Sequence, residues 1–262
     1  SRWDWALFVG GFVPALVFGV AVGNVLTGIP FRLDSDLRSF YEGSLLGLFH
    51  PLSLVAGLLS VAMIVLHGAS WLAIKIERGI VHDRARAFGQ IAAGASILLF
   101  AVGGVMVATM GYGFRLTHAD PLGPSNPLLS GTVAAPGAWL DNYGAHPWML
   151  IAPILGFAGP LLAWIGIRKG REVLAFGGSS LGAIGIIATV GLSMFPFILP
   201  SSIDPASSLT VWNASSSHVT LFIMLAVTLV LLPIVLLYTA WVYKVLFGRI
   251  TLRDVDTNPD YY

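Results

Sequence analysis

The sequence predicts an all-α integral membrane protein with six transmembrane helices, and three observations carry this reading. Apolar residues make up 56% of the 262 positions and charged residues only 10%, against about 25% charged in soluble domains. With a mean hydropathy of +0.83, so few charges cannot cover a wet surface, so the apolar surface faces lipid. The apolar residues also fall into six long runs, each at or above the ~20 residues that cross about 30 Å of hydrocarbon. Finally, Lys and Arg collect on alternate connections. At bilayer depth no water satisfies the backbone, so each run is helical. The runs are continuous rather than alternating, which excludes a barrel.

Taken in order, the spans read as residues 4–28, 50–73, 88–114, 148–167, 173–197 and 217–247 of one membrane domain covering 1–262. The first contains Gly19-x-x-x-Gly23, a spacing that lets helices approach closely, and Thr27, Gly28 and Pro30 end it. A mixed-charge connection follows, with Arg32, Asp34, Asp36, Arg38 and Glu42. Lys75 to Arg86 flank the second span, and Gly103-Gly104 interrupts the third. Residues 115–147, rich in Pro, Gly and Asn, form an outer excursion longer than an ordinary loop, which predicts a structured cap. The fourth span ends on Arg168-Lys169-Gly170-Arg171; the fifth carries Gly178-x-x-x-Gly182 and ends at Pro196 and Pro200. The sixth begins after a Ser/Thr run suited to capping it, and Pro233 within it predicts a kink. Ser1 leads straight into the first span without an initiator Met or a cleavage site, so the chain reads as a fragment of a longer protein.

Orientation follows from the basic residues. Of the 14, only Arg32, Arg38 and Arg115 lie on one side; the others flank the opposite ends of the spans. The basic side is therefore cytoplasmic, with both termini inside and the long excursion outside. Trp148, Trp212 and Trp241 sit near span ends, as interfacial anchors do. A net charge of +1, with no basic–aromatic patch, excludes nucleic-acid binding. The absence of cysteine excludes disulfides, thiolate metal sites and cysteine nucleophiles.

Candidate chemistry is sparse. A bis-histidine haem needs ligands on facing positions at one depth, yet His50 and His67 lie about 25 Å apart along one helix. His82 reads as a cytoplasmic loop residue, while His118, His146 and His218 flank outer segments. His67, inside a span, needs a partner to offset its burial. Asp4, between Trp3 and Trp5 at a helix start, carries two readings. It either caps the helix dipole or serves as a proton-pathway or haem-assembly carboxylate. The glycine pair at Gly177 lacks a preceding strand and reads as packing. Tyr238 and Trp241 share a face of the last span, and packing is the plainer use of that face.

Several blocks resemble subunit II of the cytochrome bd quinol oxidases. These are WDWALFVGGFVPALVFGVAVGN and TGIPF between Trp3 and Phe31, SNPL at Ser125–Leu128, GAWL at Gly137–Leu140, MFPF at Met194–Phe197, and PSS at Pro200–Ser202. SLTVWNASSSHVTL at Ser208–Leu221 and PIVLLYTAWVYKVLFGRIT at Pro233–Thr251 are the most specific. The resemblance implies a bacterial inner-membrane complex that oxidises quinol, reduces dioxygen to water with protons from the cytoplasm, and generates proton-motive force. It implies that haem d and two b-type haems sit in subunit I. This chain would be part of a nine-helix bundle beside subunit I, without the first three helices, supporting haem assembly and proton delivery. Quinol, membrane lipids, a bound quinone and a small accessory subunit are the further partners it implies. Of the family's functional positions, only the aspartate of Trp-Asp-Trp is present, as Asp4. The competing readings are a transporter subunit, which would show broken helices in paired repeats, and a purely structural scaffold.

Overall fold

The computed structural model describes residues 2–121, 123–245 and 247–248. In chain order it contains α1 (Arg2–Thr27), β1 (Phe31–Leu33), β2 (Ser39–Tyr41), α2 (Pro51–Lys75), α3 (Ile80–Thr109), β3 (Phe114–His118) and β4 (Gly131–Ala134). There follow α4 (Asp141–Ala145), α5 (Ile151–Arg168), α6 (Glu172–Met194), β5 (Phe197–Leu199), β6 (Leu209–Thr210) and α7 (His218–Val245). Six of the helices are long and apolar enough to cross a membrane, as the sequence predicts. Arg249 and Arg253 of the basic tail lie outside the described residues.

Helices α2, α3, α5 and α6 pack as a ring, with α1 against the flank of α2. Small residues make this possible. A Cβ on Gly159 would stand 2.2 Å from the Gly182 backbone nitrogen, and one on Gly185 would stand 2.3 Å from that of Gly156. The α5 and α6 backbones are thus in direct contact along Gly178-x-x-x-Gly182. Gly19 and Gly23 bring α1 equally close to α2, where added carbons would strike Ala56, Gly57 and Ser53. Lipid chains are as apolar as leucine, so van der Waals contact rather than water exclusion holds such helices together. α7 differs, with none of its side chains buried. It touches the ring at one end, where Tyr243 meets Trp71 edge-on at 5.8 Å.

The two faces of the bundle are unequal. On one face the helices join through the short connections 76–79 and 169–171. On the other, each of the three connections contains an antiparallel hairpin: β1–β2, β3–β4 and β5–β6. An aromatic core beneath them joins Phe114, Trp139 and Phe197 to Leu26, Leu52 and Met194. Trp139, 1% exposed, donates from Nε1 to the Leu26 carbonyl at 2.8 Å, satisfying an acceptor that the end of α1 leaves open.

Three expectations are corrected. The third span, expected at 88–114, begins eight residues earlier at Ile80 and ends at Thr109, and Phe114 belongs to β3. The charged start of this helix masked its beginning, because apolarity alone marked the boundary. His82 is therefore a first-turn helical residue, 2% exposed, and not a loop histidine. The fifth span stops at Met194, and Phe197 starts β5 after a cis Phe195–Pro196 bond. The mixed-charge 31–49 connection forms the β1–β2 hairpin around an Asp34-centred turn.

The glycine contact predicts an asymmetry between neighbours. Gly159→Leu should destabilise the protein in detergent by about 1–3 kcal/mol or more through overpacking, read as a lower unfolding temperature. Gly177→Ala, with open space around its added carbon, should leave that temperature unchanged or raise it slightly.

Candidate functional site

Polar side chains inside the bundle form three groups, each between helices. At the hairpin face, His50 lies one residue outside α2 and caps it. Its Nδ1 accepts from the Ser53 backbone N–H at 3.3 Å. The Thr27 hydroxyl donates to the Asn24 carbonyl at 3.0 Å, so the 3.0 Å contact between Thr27 Oγ1 and His50 Nε2 places the ring proton on Nε2. Both nitrogens are thereby engaged in the neutral ring. Asn24 adds a donor to the Leu48 carbonyl at 2.8 Å, fixing the chain that enters α2.

Deeper on α2, His67 Nδ1 lies 3.0 Å from Ser179 Oγ on α6. The Ser179 hydroxyl donates to the Phe176 carbonyl at 2.8 Å, so His67 Nδ1–H is the donor to Ser179. The His67 ring packs on Phe176 at 4.8 Å. This is the partner that an intramembrane histidine requires. At the basic face, His82 stands between two carboxylates, Asp83 Oδ1 at 3.3 Å and Glu172 Oε1 at 3.4 Å. One turn along α3, Arg86 donates through Nη2 and Nε to the Ile167 carbonyl at 2.6 and 3.2 Å, closing the open end of α5.

The remaining predicted residues are peripheral. Asp4 occupies the first turn of α1 and is exposed, as are Trp3 and Trp5. His118, His146 and His218 are exposed on the hairpin face. There His118, Asp120, Asn126, Trp212 and Asn213 line a cavity of about 210 Å³. Tyr238 and Trp241 do share a face of α7, with rings 6.2 Å apart. Ser217 Oγ accepts from the Thr220 N–H at 3.3 Å, the capping contact predicted for this helix.

Two features escaped the sequence reading. The His82–Glu172 contact joins positions ninety residues apart, and its only local cue was Asp83 beside His82 in a helix start. The serines in and beside the PSS and SLTVWNASSSHVTL blocks are clips across the hairpins. Ser201 Oγ donates to the Phe31 carbonyl, Ser208 Oγ accepts from the Ser201 N–H at 3.0 Å, and Ser207 Oγ accepts from the Leu33 N–H at 2.8 Å.

The interior histidines do not group: His50 lies at the hairpin face, His67 within α2 and His82 at the basic face. Among the described residues no three His, Asp or Glu side chains group closely enough to hold a metal. His50 and His82 engage both ring nitrogens with protein partners, and His67 engages Nδ1. Fold and side chains define a multi-pass helical membrane protein whose interior polar groups join helices.

Comparison with known proteins specifies the class. Residues 1–246 match the cytochrome bd terminal oxidase subunit II family. Over 98% of this chain, the sequence is 45% identical to subunit 2 of the cytochrome bd-I ubiquinol oxidase of Escherichia coli K12, covering 68% of that protein. It is 40% identical to a probable cytochrome oxidase subunit 2 of Haemophilus influenzae, again over 98% of this chain and 68% of the relative. The bd oxidase of Geobacillus thermodenitrificans shares the fold, with a TM-score of 0.61 at 17% identity over 93% of this chain and 65% of that one. The chain belongs to the cytochrome bd terminal oxidase subunit II family and spans about two thirds of the length of these relatives.

The His50 cap carries a pH dependence. Burial lowers the pKa of this ring from its ordinary 6.5, so the unfolded chain binds its proton more readily than the folded one. The stabilisation is complete above about pH 6.5 and is lost as pH falls through the lowered folded value. A proton on Nδ1 would also face the Ser53 N–H. Thermal unfolding should therefore weaken on acidification through this window. His50→Ala should cost on the order of 1 kcal/mol at neutral pH, as lost N-caps do, and should flatten that part of the pH profile.

Proposed function

We propose that this chain acts as the non-haem subunit of a quinol-oxidising terminal oxidase in a bacterial inner membrane. The carrying observation is the 45% identity to the E. coli subunit over 98% of the chain. In this reading the larger subunit I binds haem d and two b-type haems, oxidises quinol and reduces dioxygen to water. The present chain packs against it, supports haem assembly and assists proton delivery from the cytoplasm. The basic flanks at the face of the short connections support a cytoplasmic location for that face and for both termini. Lipid, a quinone and a small accessory subunit are the further partners of this assembly. Family membership favours the oxidase over the transporter and scaffold readings.

Co-expression with a subunit I should yield a complex with a haem d absorption band and quinol-dependent oxygen uptake. Solute transport by this chain alone, with no haem-containing partner, would count against the proposal. Within the complex, Asp4→Asn should lower haem content or turnover by about tenfold or more if its carboxylate handles protons. Unchanged values of both would reduce Asp4 to a helix-dipole cap worth under about 1 kcal/mol.

A further inference from the structure

Reduction of dioxygen to water consumes protons, and in a membrane oxidase they must reach buried groups from one face. The basic face of this chain contains a titratable cluster built around a buried histidine and joining α3 to α6. His82, its side chain 3% exposed, bridges Asp83, at 76%, and Glu172, at 15%. Exposure thus falls from a carboxylate in solvent, through a buried imidazole, to a carboxylate mostly enclosed between helices. Each ring nitrogen faces a different carboxylate oxygen, at 3.3 and 3.4 Å. A neutral ring donates to one of them only, and a doubly protonated ring to both.

A second polar station lies further in. Ser179 follows Glu172 by seven residues on α6, so it shares that helix face about 10 Å deeper. It bonds to His67 of α2. His67 itself stands eight residues inside the end of α2, about 12 Å deep. On α3, Ser96 follows His82 by fourteen residues, four helical turns on nearly the same face. It is 1% exposed, and its Oγ has no hydrogen-bond partner in the protein. A buried hydroxyl left open in this way is a place for an ordered water. The sequence therefore sets polar groups at successive depths on three helices that meet one another in the ring.

We propose that Asp83, His82 and Glu172 form a proton inlet that feeds the His67–Ser179 pair. This inference rests on the oxidase reading and on its cytoplasmic assignment of the basic face. A proton taken from water by Asp83 moves to His82 Nδ1 while the proton on Nε2 moves to Glu172. Only N–H and O–H bonds form and break, and reorientation of the neutral ring resets it. Water carries the proton on to Ser179 and His67. Of the other charged groups on this stretch of α3, Arg84 is exposed, and Arg86 is engaged with the Ile167 carbonyl and holds the α3–α5 contact beside the inlet.

The test uses the whole complex with its subunit I, reconstituted in liposomes. The wild type must first show quinol-dependent oxygen uptake; its failure would sink the oxidase reading and not the inlet specifically. His82→Gln and Glu172→Gln should then slow oxygen uptake about tenfold or more with the haem spectrum retained. The solvent deuterium isotope effect should rise as proton supply becomes limiting, and Glu172→Asp should recover most of the rate. Full turnover in both variants would overturn the proposal. So would loss of haem or of thermal stability with an unchanged isotope effect in the remaining enzyme, which marks a helix clasp. Should both variants fail to assemble, Asp83→Asn decides, because its side chain lies in solvent. A slower, more isotope-sensitive enzyme supports the inlet, and unchanged values overturn it.

Discussion

The backbone contact between α5 and α6 sets the geometry of the interior. Gly159 and Gly182, then Gly156 and Gly185, allow the two helices to touch without intervening side chains. At the other end Gly166 meets Ala175, where an added carbon would lie 2.5 Å from the Ala175 nitrogen. The turn of three residues, 169–171, follows from that closeness. It delivers Glu172 to the side of α3 that carries His82, and it leaves the Ile167 carbonyl facing Arg86. In a solvent that gives no advantage to burying one alkyl group against another, such contact is the main attraction between apolar helices. Replacing any of these glycines by a larger residue displaces the polar contacts along with the packing.

The two faces of the bundle solve different problems. The hairpin face must close three longer connections over the ends of α1, α3 and α6. It does so with an aromatic layer beneath and hydroxyl clips above. Ser201, Ser207, Ser208 and Thr210 are fully enclosed, so their hydroxyls would be costly without partners. Ser201, Ser207 and Ser208 each bond to a backbone group, and the Thr210 hydroxyl accepts from the Trp212 N–H at 3.4 Å. The opposite face has short turns, dense basic charge and the only deeply buried histidine of the described residues.

Much of the architecture was legible in composition and periodicity, because lipid imposes a length and an apolarity that few other environments do. The spans ending at Thr27, Lys75 and Arg168 lie within two residues of their expected limits. The failures are local and share a cause. The start of α3 is charged, so an apolarity criterion places its beginning at Phe88 and leaves His82 in a loop. Phe114 and Phe197 are apolar, so the same criterion assigns them to helices, although they fill the core beneath the hairpins. The His82–Glu172 contact was invisible because no local pattern reports a pairing across ninety residues. Asp4 was legible as a carboxylate at a helix start and through its resemblance to a motif; the fold places it on an exposed first turn. Ser201 and Ser208 belong to blocks that carry the family resemblance, and their hydrogen bonds across the hairpins give those blocks a structural reason.

The exposure of α7 has a consequence for how the chain is held together. A helix of 28 residues spans about 42 Å, yet α7 has no buried side chain from His218 to Val245. Detaching it sideways would sacrifice little internal contact, whereas drawing it into water would expose a whole cylinder of hydrocarbon. Its depth is therefore dictated by the bilayer, and its position around the ring by tethers near its ends, among the described residues Ser125 to the Ser215 carbonyl, Trp71 against Tyr243, and Lys75 Nζ to the Gly248 carbonyl at 3.3 Å. Membrane thickness thus becomes a structural parameter of this one helix in a way it is not for the glycine-locked pair.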